Sequence, residues 1–141
     1  SAHSEIVKLL RQRSRPYLFS NTVAPPVVAG AIKAIDLVES SIHLQNKLKD
    51  NTKYFRNGLE SLGFDVLPGE HPIIPIMIGD ASQATEFAAE MLNNGVYVIA
   101  FSYPVVAKGM ARIRTQMSAS FSKEDLDSAL KSFAIAKDKI L

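Results

Sequence analysis

The sequence has no cysteine, so disulfides, thiolate nucleophiles and cysteine-ligated zinc are excluded together. An excess of charge of one sign is also missing: 16 Lys and Arg stand against 14 Asp and Glu, a net of +2. So weak a field gives no reason to expect a nucleic acid or another polyanion as partner. No apolar run approaches the roughly 20 residues that span a bilayer, and the first residues show no signal-peptide pattern. The expectation is a soluble, cytoplasmic protein, with a mitochondrial location left open should the parent chain begin further upstream. His3, His43 and His71 stand far apart, without a carboxylate or second histidine at ligand spacing, so no metal is assigned. No glycine-rich phosphate loop, Ser-His-Asp set or paired-carboxylate motif is visible.

What is present is a globular balance of 47% hydrophobic and 21% charged residues, in 141 residues that suffice for one domain with a real core. Positive charge is concentrated at Lys8, Arg11, Arg13 and Arg15. These lie on or just beyond a predicted helix over residues 4–14, with Ile6, Val7, Leu9 and Leu10 as its apolar stripe and Ser4 as its N-cap. Pro16 ends that helix, because the residue before proline avoids the helical region, and residues 17–24 follow as a loop. From Pro25 a second helix runs to about Glu39, with Val28, Ile32, Ile35 and Val38 on one side. A third pattern, Leu44, Leu48, Phe55, Leu59 and Leu62, closes at Gly63. The two are either a pair or one long helix bent near Ser40 and Ser41. Ser20, Asn21 and Thr22 sit just ahead of the second helix, where free N–H groups and the helix dipole favour an anion. Capping and turn formation explain the same residues without a ligand, and the pattern alone favours that explanation.

The second half changes character. Residues 64–67 and 73–79 read as strands, with Pro75 placing the latter at an edge or an irregularity. Asp80–Asn94 reads as a helix with Ala84, Phe87, Ala88, Met91 and Leu92 inside. Val96–Phe101 and Ala111–Ser118 read as further strands. Ser122 and Asp125 form a capping box for a last helix through Leu126, Leu130, Phe133 and Ile140. This order predicts an α+β layer, a small and largely antiparallel sheet with helices on one face. In Ala111–Ser118 a period of two puts Ala111, Ile113, Thr115 and Met117 on one face and Arg112, Arg114, Gln116 and Ser118 on the other. The planar fork of arginine donates two parallel charge-assisted bonds, so this second face suits an acidic small molecule. A solvated face paired with carboxylates of a neighbouring helix is the alternative, and the pattern alone favours it. Lys108, between Ala107 and Gly109 in a loop, lacks the burial and charged neighbours that activate a covalent lysine.

Two strings carry a resemblance. LRQRSRPYLFSNTVAP (residues 10–25) and GVYVIAFSYPVVAKGMARIRTQMSAS (residues 95–120) resemble the α-oxoamine synthases, and among them the glycine C-acetyltransferase branch. These are pyridoxal-phosphate enzymes with the large aspartate-aminotransferase-like fold (fold type I). The resemblance implies that this chain is the C-terminal part of a longer enzyme. Residues 1–24 would close the large cofactor-binding domain, 25–62 would form an interdomain helix or helix pair, and 63–141 a small C-terminal α+β domain. It implies a homodimer whose cofactor site is shared between subunits, with Ser20 and Asn21 on the pyridoxal 5'-phosphate phosphate group. Arg114 would grip the substrate carboxylate, with Arg112 in support. The implied reaction condenses glycine with acetyl-CoA to 2-amino-3-oxobutyrate and CoA, in threonine and glycine metabolism, with the cofactor as electron sink. No metal takes part.

Two departures from the family pattern stand out. The Schiff-base lysine belongs to a Gly-Lys-Ala-Leu-Gly-type segment that does not occur here. The chain therefore holds no catalytic residue and is expected to be inactive alone. Where family chains often read Ser-Ala-x-His, this one has Ser118-Ala119-Ser120-Phe121. Two other readings stay open. One is an α-oxoamine synthase of the 5-aminolevulinate or 8-amino-7-oxononanoate type. The other is a standalone, non-enzymatic α+β interaction module, whose mark would be a 15.4 kDa translation product.

Overall fold

The computed structural model describes residues 2–141, which form two compact units that meet in sequence at Ser40 and Ser41. The first unit holds α1 (Ser4–Arg13), α2 (Arg15–Phe19) and α3 (Pro25–Ser40). Ser4 is not the N-cap of α1. His3 occupies that position, and the Ser4 hydroxyl instead donates to Glu5 Oε1 at 2.9 Å. The break after α1 falls at Ser14, which is extended (φ −70°, ψ 111°). The expected loop over 17–24 is helical in its first part, because Pro16 opens α2 rather than only ending α1. In a first helical turn an N–H has no partner to lose, so proline fits there. No side chain of α1, α2 or α3 is buried.

The second unit contains α4 (Ile42–Ser61), β1 (Asp65–Val66), β2 (Ile73–Gly79), α5 (Ala81–Asn93), β3 (Ile99–Phe101), β4 (Ala111–Gln116) and α6 (Lys123–Ile140). The strands form one antiparallel sheet in the order β1-β2-β4-β3. Its inner face contributes Ile74, Ile76 and Ile113 to a core completed by Phe55 and Leu59 of α4, Phe87 and Met91 of α5, and Phe133 and Ala136 of α6. The expected α+β layer is therefore present, and the capping box of α6 forms as read: Asp125 N–H donates to Ser122 Oγ, and Ser122 N–H to Asp125 Oδ2. That second bond, from the Ser122 backbone, holds the Asp125 carboxyl below its ordinary range. Leu92 lies outside the core, 58% exposed. The inward line of α5 is Ala84, Phe87 and Met91, and one residue further turns the side chain by about 100° toward solvent.

Of the two expectations for the Pro75 strand, the edge fails, because β2 is paired on both sides. The irregularity is present, as the register against β4 shifts between Met77 and Gly79. The strand tolerates Pro75 because its missing N–H faces β1 just past the end of that two-residue strand. Leu67 N–H donates to Pro75 O, but the return bond to Leu67 O cannot form. Arg56 of α4 replaces it, donating from Nη1 to Leu67 O.

A second long-range contact closes α4. Lys137 Nζ donates to Leu62 O at 2.6 Å and Gly63 O at 2.9 Å, placing a cation on the carbonyl end of the helix beside Gly63 (φ 74°). Lys137→Met should cost about 1–3 kcal/mol of stability, since two carbonyls lose a charged donor. Urea unfolding of the full-length protein reads this directly; an unchanged midpoint would deny the clamp its role.

Candidate functional site

The arginine-bearing strand is the clearest concentration of chemistry in the second unit. Ala111, Ile113, Thr115 and Met117 are buried, whereas Arg114 and Gln116 are exposed and Arg112 is half-buried. The alternation holds because the inner face meets the helices and Thr115 Oγ1 has a buried acceptor, Ile74 O, at 3.0 Å. On the outer face the ladder sets Arg114 opposite Pro75 of β2 and Ile99 of β3. Neither carries charge. Among the described residues, the Arg114 guanidinium makes no hydrogen bond or ion pair, and its recorded side-chain contact is the Phe101 ring, 5.5 Å from Cζ to centroid. The face is solvated at Arg114, as the alternative has it, but among the described residues no helix carboxylate pairs with the guanidinium. Its two ladder neighbours, Pro75 and Ile99, are apolar. Arg112 is used internally, with Nε donating to Met110 O at 3.2 Å.

Beside Arg114 lies an open groove of about 890 Å³, walled by Val98, Ile99, Phe101, Met117, Leu126 and Phe121. Phe121, at the position of the expected histidine, therefore gives the groove an apolar wall. The backbone there is fixed from α4: Asn51 Nδ2 donates to Ser118 O at 2.9 Å and to Phe121 O at 3.1 Å. Lys108 stands away from the arginine, with Nζ 5.2 Å from the Tyr103 ring centroid.

Ser20 and Asn21 belong to the first unit. Ser20 ends α2 with extended backbone (φ −91°, ψ 157°), its N–H donating to Pro16 O at 3.0 Å. Among the described residues, the side chains of Ser20, Asn21 and Thr22 make no hydrogen bond. Side-chain capping therefore does not account for them, although Ser20 is the C-cap of α2 through its backbone N–H. The helix entry differs from expectation as well. Pro25 and Pro26 have no N–H, and the next two donors, Val27 and Val28, both turn to Ala24 O. The start of α3 offers no free backbone donor in its first turn, so anion binding here falls to the hydroxyls and the amide.

These exposed, unsatisfied donors suit a phosphate, and Arg114 suits a carboxylate. Among the described residues no group of three or more His, Cys, Asp or Glu gathers as for a metal, and no helix is long and apolar enough to cross a membrane. Comparison with known proteins decides the family: the aminotransferase class I and II model matches residues 1–133. The chain belongs to the class I and II aminotransferase family. Pyridoxal phosphate is the cofactor of such enzymes, as expected.

Within this aminotransferase family, the chain is 48% identical over 133 residues to the 2-amino-3-ketobutyrate coenzyme A ligase of Escherichia coli, a match covering 94% of this chain and 33% of the relative. It is 45% identical over 129 residues to the 8-amino-7-oxononanoate synthase of Thermoanaerobacter pseudethanolicus, covering 92% and 33%. A lysine-to-alanine variant of serine palmitoyltransferase from S. paucimobilis, solved with a bound PLP–myriocin aldimine, superposes with a TM-score of 0.89 at 25% identity, over 99% of this chain and 35% of that one. The resemblance expected from residues 10–25 and 95–120 is borne out, and so is the fold-type I architecture. The chain spans about a third of the length of the curated relatives it matches.

The sequence reading missed Phe101, taken only as the end of an apolar strand. Its signal lay in the spacing: residues 99–101 and 112–114 flank one loop, and pairing them brings an aromatic ring beside an arginine.

Proposed function

We propose that this chain is the C-terminal portion of a pyridoxal-phosphate acyltransferase that condenses glycine with acetyl-CoA to 2-amino-3-oxobutyrate and CoA, in threonine and glycine metabolism. The observation that carries the reading is Arg114, a guanidinium without a counter-charge among the described residues, set between the apolar Pro75 and Ile99. When bound, the cofactor supplies an electron sink for charge developing at the glycine α-carbon. The chain's own contribution is binding and orientation. Arg114 takes the glycine carboxylate in a two-bond fork, and with that group fixed, the direction of the α-carbon bonds is set. Pro75, Ile99 and Phe101 flank the contact with apolar surface. Ser20 and Asn21 donate to phosphate oxygens.

In this reading residues 1–24 close the large domain, 25–62 connect the domains, and 63–141 are the small domain. The exposed apolar sides of α1 and α3 (Ile6, Leu9, Val28, Ile32, Ile35, Val38) support that placement, because such surfaces belong under other parts of a protein. The protein acts in the cytoplasm as a homodimer with cofactor sites shared between subunits. The cofactor-bearing lysine lies outside this chain, which is inactive alone.

The test is an assay of the full-length enzyme with glycine, alanine and serine against short and long acyl-CoA thioesters. Glycine with acetyl-CoA should be preferred. A preference for alanine with a long acyl chain would favour the second reading, an 8-amino-7-oxononanoate-type synthase, which the Thermoanaerobacter relative supports. For the phosphate contact, Ser20→Ala should weaken cofactor retention about ten- to a hundredfold, the size of one lost hydrogen bond to a charged group, with glycine KM little changed at saturating cofactor. Equilibrium dialysis against free pyridoxal phosphate measures this. Wild-type retention would remove Ser20 from the site.

A further inference from the structure

Arg114 raises a question that its missing counter-charge leaves open: what holds a long, flexible side chain in one place before any ligand arrives? Arginine carries roughly 2 kcal/mol of rotamer entropy, and its fork is useful only if oriented. Arg114 has no hydrogen bond to fix it among the described residues, and its recorded partner is the ring of Phe101.

The ladder explains how they meet. Phe101 is directly opposite Arg112, and Arg114 is directly opposite Ile99, so Phe101 and Arg114 are diagonal neighbours on one face. Diagonal neighbours lie within reach of an aromatic ring and a long side chain. Arg112, the nearer candidate for the ring, is drawn off by its bond to Met110 O. That leaves the ring to Arg114. A cation–π contact engages the guanidinium's charge rather than an N–H, so all five donors remain for a carboxylate.

We propose that Phe101 is a positioning residue for the substrate carboxylate, acting through Arg114 by holding its guanidinium against the ring. This rests on the reading of Arg114 as the carboxylate contact. It makes the aromatic ring a determinant of amino-acid affinity rather than of the acyl donor.

The experiment uses the full-length enzyme with Phe101→Leu, Phe101→Tyr, Arg114→Ala and the Phe101→Leu/Arg114→Ala pair. Glycine KM and kcat, the dissociation constant for glycine by calorimetry, and the thermal midpoint are measured for each. Phe101→Leu should raise glycine KM and dissociation constant about two- to fivefold, the range of an exposed cation–π contact, with kcat at saturating glycine unchanged. Phe101→Tyr should restore wild-type values, and Phe101→Leu should have no further effect once Arg114 is alanine. If Arg114→Ala impairs glycine binding while Phe101→Leu does not, the positioning role is overturned and the Arg114 reading stands. An equal loss from Phe101→Leu in both backgrounds also overturns it, since the ring would then act without the arginine. Unimpaired glycine use in Arg114→Ala overturns the Arg114 reading, and the inference with it.

Discussion

Arg114→Ala in the full-length enzyme is expected to lower kcat/KM for glycine by about two to three orders of magnitude. A hydrogen bond to a charged group contributes roughly 1.5–3 kcal/mol, and a two-bond fork approaches the sum of two such contacts. Each 1.4 kcal/mol is a factor of ten. Part of the loss should appear in kcat, because a carboxylate no longer held leaves the α-carbon free to rotate away from the productive orientation. Arg114→Lys keeps the charge but not the planar fork, so its activity should lie between alanine and wild type. Neither change should disturb folding, since the side chain is exposed and makes no hydrogen bond or ion pair among the described residues. Steady-state kinetics over glycine concentration, beside a thermal melt of each variant, checks both halves. Wild-type kcat/KM in Arg114→Ala would remove the central residue of the proposed function.

Much of this was legible because the relevant physics is local. The alternation of Ala111, Ile113 and Thr115 with Arg112, Arg114 and Gln116 fixes which side chains face the helices before any partner strand is known. The capping box at Ser122 and Asp125 is likewise a matter of three residues. What was not legible depends on pairing across long sequence separations. Pro75 argues for an edge or an irregularity, and how β2 keeps a neighbour on that side shows only when Arg56, nineteen residues away, is seen to satisfy the carbonyl its missing N–H abandons. Whether Arg114 has a counter-ion depends on Pro75 and Ile99 across the ladder, and neither assignment can be read from the strand itself.

The anion site at Ser20 and Asn21 shows the opposite failure, a local rule applied without its details. Helix starts bind anions through free N–H groups, yet Pro25 and Pro26 have none, and Val27 and Val28 spend theirs on Ala24. The side chains survive as candidates for a different reason: nothing in the described residues occupies them.

Phe133→Ala should produce the largest loss of stability, about 3–5 kcal/mol. The ring is fully buried and is the hub of an aromatic cluster: its centroid lies 6.0 Å from Phe55 and 5.6 Å from both Phe64 and Phe87. Those neighbours come from α4, the turn before β1, and α5, so one ring on α6 joins three other parts of the unit. Edge-to-face and tilted pairs add about 0.5–1.5 kcal/mol each beyond area burial, which places the expected value at the upper end of the range. Against a typical total of about 5–15 kcal/mol, that is enough to unfold a marginal domain near physiological temperature. Phe133→Leu fills most of the space without the ring contacts and should lose clearly less. The consequence reaches the site, because α6 supplies Leu126 to the groove wall beside Arg114. Urea unfolding of the full-length protein, followed by circular dichroism, measures the first effect, and glycine KM at a temperature where the variant stays folded measures the second. A Phe133→Ala protein within 1 kcal/mol of wild type would mean that α4, α5 and the sheet hold together without the central ring, and that α6 is a cover rather than part of the core.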